Sequence, residues 1–359
     1  MAIRVAINGF GRIGRMTLRV IVKQGWPVDV VAINDPLLPP ELGAHLLRYD
    51  TVYGKAPFAI ETREGALSVD GREIPLVAER DPANLPWKRY DVDVVIESSG
   101  RFTDPDRTEP HLAAGAKRIL LSAPPSGKRK NEVLQILWRV NEDEFIKKGR
   151  PKIVSAASCT TNSLGPVVQV LHKELGPGQG IEHGFLTTVH GYTADQQLVD
   201  GPHEDDFARA RAAAVNIVPT STGAARSIPA IFPDLAGKMD GISMRVPVPS
   251  GSVSDFVAKL KRPLPASSSN PKDAVKEAVK ALNDAFRQAA KGPLGEVMAV
   301  EDDPIVSSDV IGRNHSCVVA TAYTMVLSKA LDVVKVLAFY DNEWGYAARL
   351  VDVAKFIAA

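Results

Sequence analysis

The sequence has 359 residues, of which 45% are hydrophobic and 24% are charged, and its formal net charge is +1. This length predicts two domains of ordinary size. A nearly neutral chain without a long apolar run or a signal pattern gives no support for a nucleic-acid or a membrane partner. The only cysteines are Cys159 and Cys317, so a cytoplasmic protein without disulfides is expected, with Cys317 as a buried structural residue.

The N-terminus carries a pattern typical of dinucleotide binding. A short apolar strand at 3–8 is followed at once by Gly9, Phe10, Gly11, Arg12, Ile13 and Gly14. A helical run from Arg15 to Lys23, a second strand at 28–33 and Asp35 come next. The glycines allow backbone amides to approach a pyrophosphate at a helix N-terminus, and the acid is placed to accept from ribose hydroxyls. This context favours a cofactor site over an empty glycine turn.

The order of elements predicts the fold class. Strands are expected at 3–8, 28–33, 92–97, 118–122 and 152–155, alternating with helices. This predicts an α/β dinucleotide-binding domain over 1–158 with a doubly wound (Rossmann) parallel sheet, in which binding residues such as Ser122 follow strand ends.

The pattern changes after residue 158. Long strands at 241–247, 252–260 and 333–340, with a helix at 271–290, predict an α+β catalytic domain over 159–340 with a mixed or antiparallel sheet. A closing helix at about 341–359 is expected to pack back on the first domain.

Cys159 and His190 are the candidate catalytic pair. Cys159 begins an apolar-periodic run that is typical of a helix. A helix N-terminus stabilises a thiolate, and a nearby histidine can accept the thiol proton. Spacing alone leaves open whether His190 lies beside Cys159, and a lone cysteine or histidine is more often structural.

The second half of the chain also offers groups that bind tetrahedral oxyanions. These are the hydroxyls of Thr193 and Thr222, the turn at Gly223 and the guanidinium of Arg245, with Asp195 close in sequence. Each residue alone is more often a strand, cap or surface residue. No metal site is predicted.

Several longer runs carry a resemblance to a known family. They are 8–14, 34–36, 80–84, 158–162, 187–193, 216–225, 245–247 and 340–346. In this order they resemble the phosphorylating glyceraldehyde-3-phosphate dehydrogenases over essentially the full length. The resemblance implies NAD-dependent oxidation of glyceraldehyde 3-phosphate to 1,3-bisphosphoglycerate, in glycolysis or gluconeogenesis, by a homotetramer in which a loop near 191–215 reaches a neighbour's cofactor.

The resemblance also implies residue roles. Cys159 would form a thiohemiacetal and then a thioester, with His190 as its base, and inorganic phosphate would cleave the thioester. Thr193, Asp195 and Arg245 match positions near the substrate phosphate. Ser158, Thr160, Thr222 and Gly223 match those for the attacking phosphate. Arg80 and Asn342 match cofactor positions, the latter at the nicotinamide carboxamide.

Three departures from the family pattern qualify these expectations. Ser163 replaces a usual second cysteine, which removes a disulfide partner for Cys159. The segment 124–151 is longer than usual and includes a basic run at 128–130. Gly201 replaces a leucine thought to crowd a 2′-phosphate, so NADP use beside NAD is expected.

Two alternatives remain at this point. Erythrose-4-phosphate dehydrogenase has a similar thiol and cofactor but hydrolyses its thioester, and Thr193 with the intact 220–225 run argues against it. A catalytically idle scaffold or RNA-binding protein on the same fold is disfavoured by the presence of Cys159, His190 and Asn342 and by the low net charge.

Overall fold

The computed structural model describes residues 2–204 and 206–359 and divides the chain into two compact units. One unit consists of the chain up to Ser158 together with Tyr346–Ala359, and the other is Cys159–Gly345. The assignment of one unit to dinucleotide binding and the other to catalysis and tetramer formation stays a prediction at this stage.

The first unit is built around a mostly parallel sheet. Its elements in chain order are β1 (Ile3–Asn8), α1 (Arg12–Gln24), β2 (Val28–Asn34), α2 (Pro40–Arg48), β3 (Ile60–Arg63), β4 (Ala66–Val69), β5 (Arg72–Val77), β6 (Val94–Glu97), α3 (Pro105–Thr108), α4 (Pro110–Ala113), β7 (Arg118–Leu121), β8 (Leu134–Gln135), α5 (Asp143–Lys147) and β9 (Ile153–Ser155). The strand order is β3-β4-β5-β2-β1-β6-β7-β9-β8.

The expected parallel sheet is confirmed, with β1 lying parallel to β2 on one side and to β6 on the other. Val5, Ala6 and Ile7 of β1 are fully buried, as expected for a strand covered on both faces. Two features were not predicted. An antiparallel meander, β3-β4-β5, joins the edge next to β2. The long segment 124–151 supplies β8, which pairs with β9.

The second unit is built on a mixed sheet. Its elements are α6 (Cys159–Gln169), β10 (Ile181–Gly191), β11 (Val218–Ser221), α7 (Ala224–Ser227), β12 (Met239–Val246), β13 (Ser252–Leu260), α8 (Pro271–Ala289), β14 (Met298–Glu301), β15 (Cys317–Ala320), β16 (Met325–Val326) and β17 (Val333–Tyr340), and α9 (Trp344–Ala358) follows. The strand order is β11-β12-β10-β13-β17-β15-β14, with β16 beside β17. The predicted mixed sheet is confirmed.

The strand register places the candidate catalytic residues on one face of this sheet. His190 pairs with Arg245 on the parallel strand β12, and Thr188 pairs with Ser254 on the antiparallel strand β13. Residues paired across strands share a face, and so do residues two apart along a strand. Helix α6 covers this face, where the Ser163 and Ser254 hydroxyls are 3.0 Å apart. Cys159, as the first residue of α6, is therefore brought over the strands that carry His190 and Arg245.

Helix α6 is buried nearly all round, because every residue from Thr160 to Val168 is buried. Such a helix is stabilised by packing rather than by one amphipathic face. Cys317 is fully buried in β15, so its expected structural role is confirmed. Within residues 2–204 and 206–359, the structure has no helix that is both long enough and apolar enough to cross a membrane.

Candidate active site

The glycine turn between β1 and α1 leaves a place for a ligand. Gly9 has a φ of +92°, and a Cβ there would lie 2.4 Å from Ser99 N. A Cβ at Gly14 would lie 2.2 Å from Gly9 O, so both positions need glycine for protein packing. A Cβ at Gly11 would meet no protein atom within 4 Å. The free space lies at the start of α1, where the N-cap residue, Gly11, has no side chain to cap the helix, and this fits a bound pyrophosphate.

Asp35 organises this turn. Its Oδ2 accepts from Phe10 N at 2.9 Å and its Oδ1 accepts from Leu37 N at 3.0 Å. Carboxylate oxygens have further lone pairs, so both can still accept from ribose hydroxyls. Arg12 differs from a simple pyrophosphate ligand, because its guanidinium is paired with Asp50.

A cavity in the first unit adjoins this turn. Its wall includes Gly9, Gly11, Asp35 and Arg80 of the predicted residues. It also includes residues that the sequence analysis gave no role, namely Asn8, Asn34, Glu79, Ser99, Arg101, Phe102 and Arg107. Asn8 and Asn34 could have been predicted from the sequence, because they are the last residues of β1 and β2. Parallel sheets of this kind bind ligands at the carboxyl ends of their strands. Ser122 follows β7 and donates its N–H to Glu97 O, and its cofactor role remains a prediction.

The backbone just before the nucleophile candidate is strained. Ala157, two residues before Cys159, has a φ of +56°, which is unusual for a residue with a side chain. Two contacts hold it there. Its N–H donates to Ser155 Oγ at 2.9 Å, and its carbonyl accepts from Tyr346 Oη at 2.8 Å. Strain of this kind persists where the surroundings fix it, which is common at active sites.

The structure brings Cys159 and His190 together. Cys159 Sγ lies 3.4 Å from His190 Nε2, within hydrogen-bond reach for sulfur. His190 Nδ1 lies 2.6 Å from Gly191 O. A carbonyl oxygen only accepts, so this contact is a hydrogen bond in the tautomer with the proton on Nδ1, in which Nε2 presents a lone pair to the thiol. Arg245 Nη1, which only donates, also lies 2.7 Å from Nδ1, so in this tautomer it makes no hydrogen bond to the imidazole. Cys159 is partly exposed, whereas His190 is buried. With the proton on Nδ1, the imidazole can accept the thiol proton.

The surroundings oppose ionisation of either group alone. Burial raises the pKa of the Cys159 thiol, although the Arg245 charge, the Thr160 hydroxyl and the amides of Cys159 and Thr160 act in the opposite direction. Burial and the Arg245 charge lower the pKa of His190 to about 3. A proton passed from Sγ to Nε2 creates both charges together, so each stabilises the other. The two residues must therefore titrate as a coupled pair.

A second cluster surrounds the Arg245 guanidinium. Arg245 Nη1 lies 2.7 Å from His190 Nδ1 and donates to Gly191 O at 3.2 Å. Thr193 donates to Asp195, and Asp195 is paired with Arg209 at 2.7 Å. Burial raises the pKa of Asp195, but the Thr193 hydroxyl and the two guanidinium charges outweigh it and hold the pKa below its usual range.

These groups stay candidates for an anion site. Two guanidinium groups and one carboxylate give the cluster a net positive charge, which favours an anion such as a phosphate group. Arg209 is an addition to the residues that the sequence analysis named here. Its contacts with Asp195 and with Thr220 Oγ1, at 2.7 Å, make it part of the cluster.

The groups expected at the attacking phosphate lie in three places. Thr160 follows Cys159 in α6, and its Oγ1 is 4.0 Å from Cys159 Sγ. Thr222 and Gly223 precede α7, where Thr222 Oγ1 accepts from Ala224 N at 3.2 Å. Ser158 ends the first unit. The structure places Thr160 beside the thiol, and the shared role of the other three residues remains a prediction.

The side-chain oxygen of Asn342 already accepts two hydrogen bonds within the protein. Its Oδ1 accepts from Gly251 N at 3.1 Å and from Ser252 Oγ at 2.9 Å. The side chain is buried and fixed in this orientation, which leaves its NH₂ group to donate to a ligand. A donor is what a carboxamide oxygen needs, so the residue fits its expected role toward nicotinamide. In the described part of the chain, no cluster of three or more His, Cys, Asp or Glu side chains could hold a metal ion.

Comparison with known proteins gives the family. Residues 3–105 match the model for the glyceraldehyde 3-phosphate dehydrogenase NAD binding domain, and 158–342 match that for the C-terminal domain. The chain is 45% identical to glyceraldehyde-3-phosphate dehydrogenase 2 of Streptomyces avermitilis, over 99% of both chains. It is 45% identical to glyceraldehyde-3-phosphate dehydrogenase of Borreliella burgdorferi, over 98% of both, and 44% identical to glyceraldehyde-3-phosphate dehydrogenase 2 of Bacillus subtilis, over 100% of this chain and 98% of the relative. The chain therefore belongs to the glyceraldehyde-3-phosphate dehydrogenase family of NAD-dependent oxidoreductases.

Proposed function

We propose that this enzyme oxidises glyceraldehyde 3-phosphate to 1,3-bisphosphoglycerate with NAD, through a thioester on Cys159. The observation that carries the proposal is the 3.4 Å contact between Cys159 Sγ and His190 Nε2 at the start of α6. A thiolate held at a helix N-terminus is a strong nucleophile for an aldehyde carbon. NAD, when bound, accepts the hydride that leaves this carbon.

In the proposed reaction His190 moves two protons. Nε2 takes the thiol proton, the thiolate attacks the aldehyde carbon, and Nε2 returns that proton to the resulting alkoxide to give the thiohemiacetal. As hydride leaves, Nε2 takes the hydroxyl proton and the carbonyl of the thioester forms. Inorganic phosphate then attacks that carbonyl, and the sulfur leaves as thiolate. Phosphate in place of water conserves the free energy of oxidation in an acyl phosphate.

The two anions of this reaction have candidate sites. The substrate phosphate is assigned to Thr193, Asp195 and Arg245, and the contacts of Arg209 add that residue to the set. The attacking phosphate is assigned to Ser158, Thr160, Thr222 and Gly223, of which Thr160 lies nearest the sulfur by the contacts described. The test is NAD reduction with glyceraldehyde 3-phosphate, measured with and without phosphate or arsenate. Turnover that does not respond to either anion would contradict an acyl phosphate product and indicate hydrolysis.

Replacing Arg245 by leucine is expected to raise the KM for glyceraldehyde 3-phosphate much more than that for unphosphorylated glyceraldehyde. A hydrogen bond to a charged group contributes about 1.5–3 kcal/mol, which corresponds to roughly a tenfold to hundredfold change. Steady-state kinetics with both aldehydes measure the difference. Arg226, an exposed arginine that pairs with Asp240 at 3.4 Å, is the matched control. Equal losses with both aldehydes would identify Arg245 as a structural residue.

Asp35 is expected to select NAD over NADP, because its carboxylate would repel a 2′-phosphate. We expect NAD preference with measurable NADP use, and a shift toward NADP in Asp35→Ala and Asp35→Asn. The asparagine variant keeps one oxygen to accept from Phe10 N or Leu37 N, so it separates the loss of charge from the loss of turn structure. The measurement is kcat/KM for each cofactor, with the unfolding midpoint of each variant as a control. A cofactor ratio that does not move would show that Asp35 only organises the turn.

A homotetramer is proposed from exposed apolar side chains in two regions. Phe207 is 91% and Leu198 is 87% exposed in the loop 191–217. Phe185 and Val257 are also exposed, and they pair across β10 and β13 on the face opposite His190. Exposed apolar patches of this kind are typical of protein interfaces. Light scattering after size-exclusion chromatography tests the assembly, and a monomer at micromolar concentration would overturn it.

We also propose a reducing, cytoplasmic compartment. Neither Cys159 nor Cys317 is in a disulfide, and oxidation of Cys159 would block the proposed nucleophile. We further propose that residues 1–158, together with the C-terminal helix, bind the cofactor. Residues 159–340 would carry out catalysis and form the tetramer.

A further inference from the structure

A chain of three buried hydroxyl groups ends beside the reactive sulfur. Tyr340 Oη lies 2.9 Å from Thr160 Oγ1 and 2.8 Å from Thr188 Oγ1. Tyr340 and Thr188 are each 1% exposed, and Thr160 is 5% exposed. Thr160 Oγ1 is in turn 4.0 Å from Cys159 Sγ. Polar groups this deeply buried are costly unless they are hydrogen-bonded, so these contacts fix the three side chains.

The sheet register explains how Tyr340 reaches Thr188. Strand β13 lies between β10 and β17, with Ser254 opposite Thr188 and Ser252 opposite Tyr340. All four side chains lie on the face covered by α6. Because serine is small, the phenol ring has room above the middle strand, and its hydroxyl can contact both the far strand and the first turn of α6.

The direction of the hydrogen bonds decides what Thr160 offers to a ligand. Each hydroxyl has one proton, so a hydroxyl that donates to one neighbour must accept from the other. If Thr160 donated to Tyr340, it would present only lone pairs toward the sulfur and the phosphate. If Tyr340 donates to Thr160, the Thr160 proton is free to point at the negative charge that forms there. Donation from Thr188 to Tyr340 completes this order, and successive hydrogen bonds polarise one another.

We propose that Tyr340 is a positioning residue that makes Thr160 a hydrogen-bond donor toward the thiolate and the attacking phosphate, with Thr188 holding Tyr340 in that role. The inference rests on the proposed function and assigns part of its phosphate specificity to two residues outside the phosphate site itself. Its effect falls on the step in which phosphate cleaves the thioester, because the substrate phosphate is held by the separate cluster around Arg245 and Asp195.

The test is Tyr340→Phe, which removes only the hydroxyl. The expected result is a rise of about threefold to tenfold in the KM for phosphate, the factor that corresponds to one neutral hydrogen bond. The KM for glyceraldehyde 3-phosphate is expected to stay within twofold. Because Thr160 lowers the pKa of Cys159, alkylation of Cys159 by iodoacetamide is expected to require higher pH in the variant. Thr188→Val should change both quantities in the same direction.

Ser163→Ala is the matched control, because it also removes a buried hydroxyl bond between α6 and β13, at 3.0 Å. It is expected to leave the phosphate KM and the alkylation profile unchanged. A folded Tyr340→Phe enzyme with wild-type phosphate KM and alkylation profile would overturn the proposal, as would equal changes in the control. If Tyr340→Phe does not fold, Thr188→Val decides by the same measurements. A wild-type enzyme without NAD reduction would instead overturn the proposed function, and the alkylation profile would still test the hydroxyl chain.

Discussion

Replacement of Cys159 by serine is expected to reduce dehydrogenase turnover by several orders of magnitude while the fold and NAD binding remain. A serine hydroxyl is a far weaker acid than a thiol, and the buried site that already raises the pKa of Cys159 penalises an alkoxide further. Three measurements check this result: turnover with glyceraldehyde 3-phosphate, the dissociation constant for NAD and the unfolding midpoint.

Cys317→Ala is the control for this experiment. Cys317 is the other cysteine, fully buried in β15, and its loss should leave turnover per folded molecule unchanged. Appreciable turnover by the Cys159→Ser enzyme would exclude Cys159 as the nucleophile. Loss of activity in both variants would point to a general effect on the second unit.

Replacement of His190 by asparagine should slow formation of the thioester by about 10²–10⁴-fold, the usual contribution of a positioned general base. The variant also tests the coupled pair. Without a proton acceptor 3.4 Å from the sulfur, the thiol is left with a pKa raised by burial, so thiolate forms only at higher pH. Alkylation of Cys159 should therefore move to higher pH in the variant.

The rate of Cys159 alkylation as a function of pH measures this shift. His183 provides the control, because it lies on the same strand, β10, and is exposed. His183→Asn should reproduce the wild-type profile. Superimposable curves for wild type and His190→Asn would show that His190 does not take the thiol proton.

Local signals in the sequence determined several elements in both units. The predicted strand at 3–8 is β1, and the predicted helix start at Cys159 is the start of α6. Each of the two signals lies within a short run of residues. For β1 the signal is an apolar run before a glycine turn, and for α6 it is a helical spacing of apolar residues after a polar first turn. A closing helix was also predicted, at about 341–359, and it is observed as Trp344–Ala358. The β3-β4-β5 meander was not, because its short strands gain stability from pairing with one another and with β2 rather than from a strong local pattern.

Residue types identified the candidate site, but not its geometry. The sequence marked Cys159, His190 and Arg245 as candidates, and resemblance to a family gave each a role. Only the tertiary structure brought the three together, because they lie on a helix and two strands whose spacing along the chain carries no information about distance. The positive φ of Ala157 and the pairing of Arg12 with Asp50 are likewise set by contacts with distant segments.

The chain of hydroxyls from Thr188 through Tyr340 to Thr160 shows most clearly what only the tertiary structure decides. Thr160 was a candidate phosphate residue from the sequence, but nothing in the sequence linked it to Thr188 and Tyr340, since threonine and tyrosine are common in strands. They meet because β17 lies two strands from β10 and because serines occupy the strand between them. The sequence by itself thus indicated the family, the cofactor turn and the candidate nucleophile, each from short runs of residues close together in the chain. The proton path and the anion sites depend on strand order and register, which are decided only when distant segments pair in the folded protein.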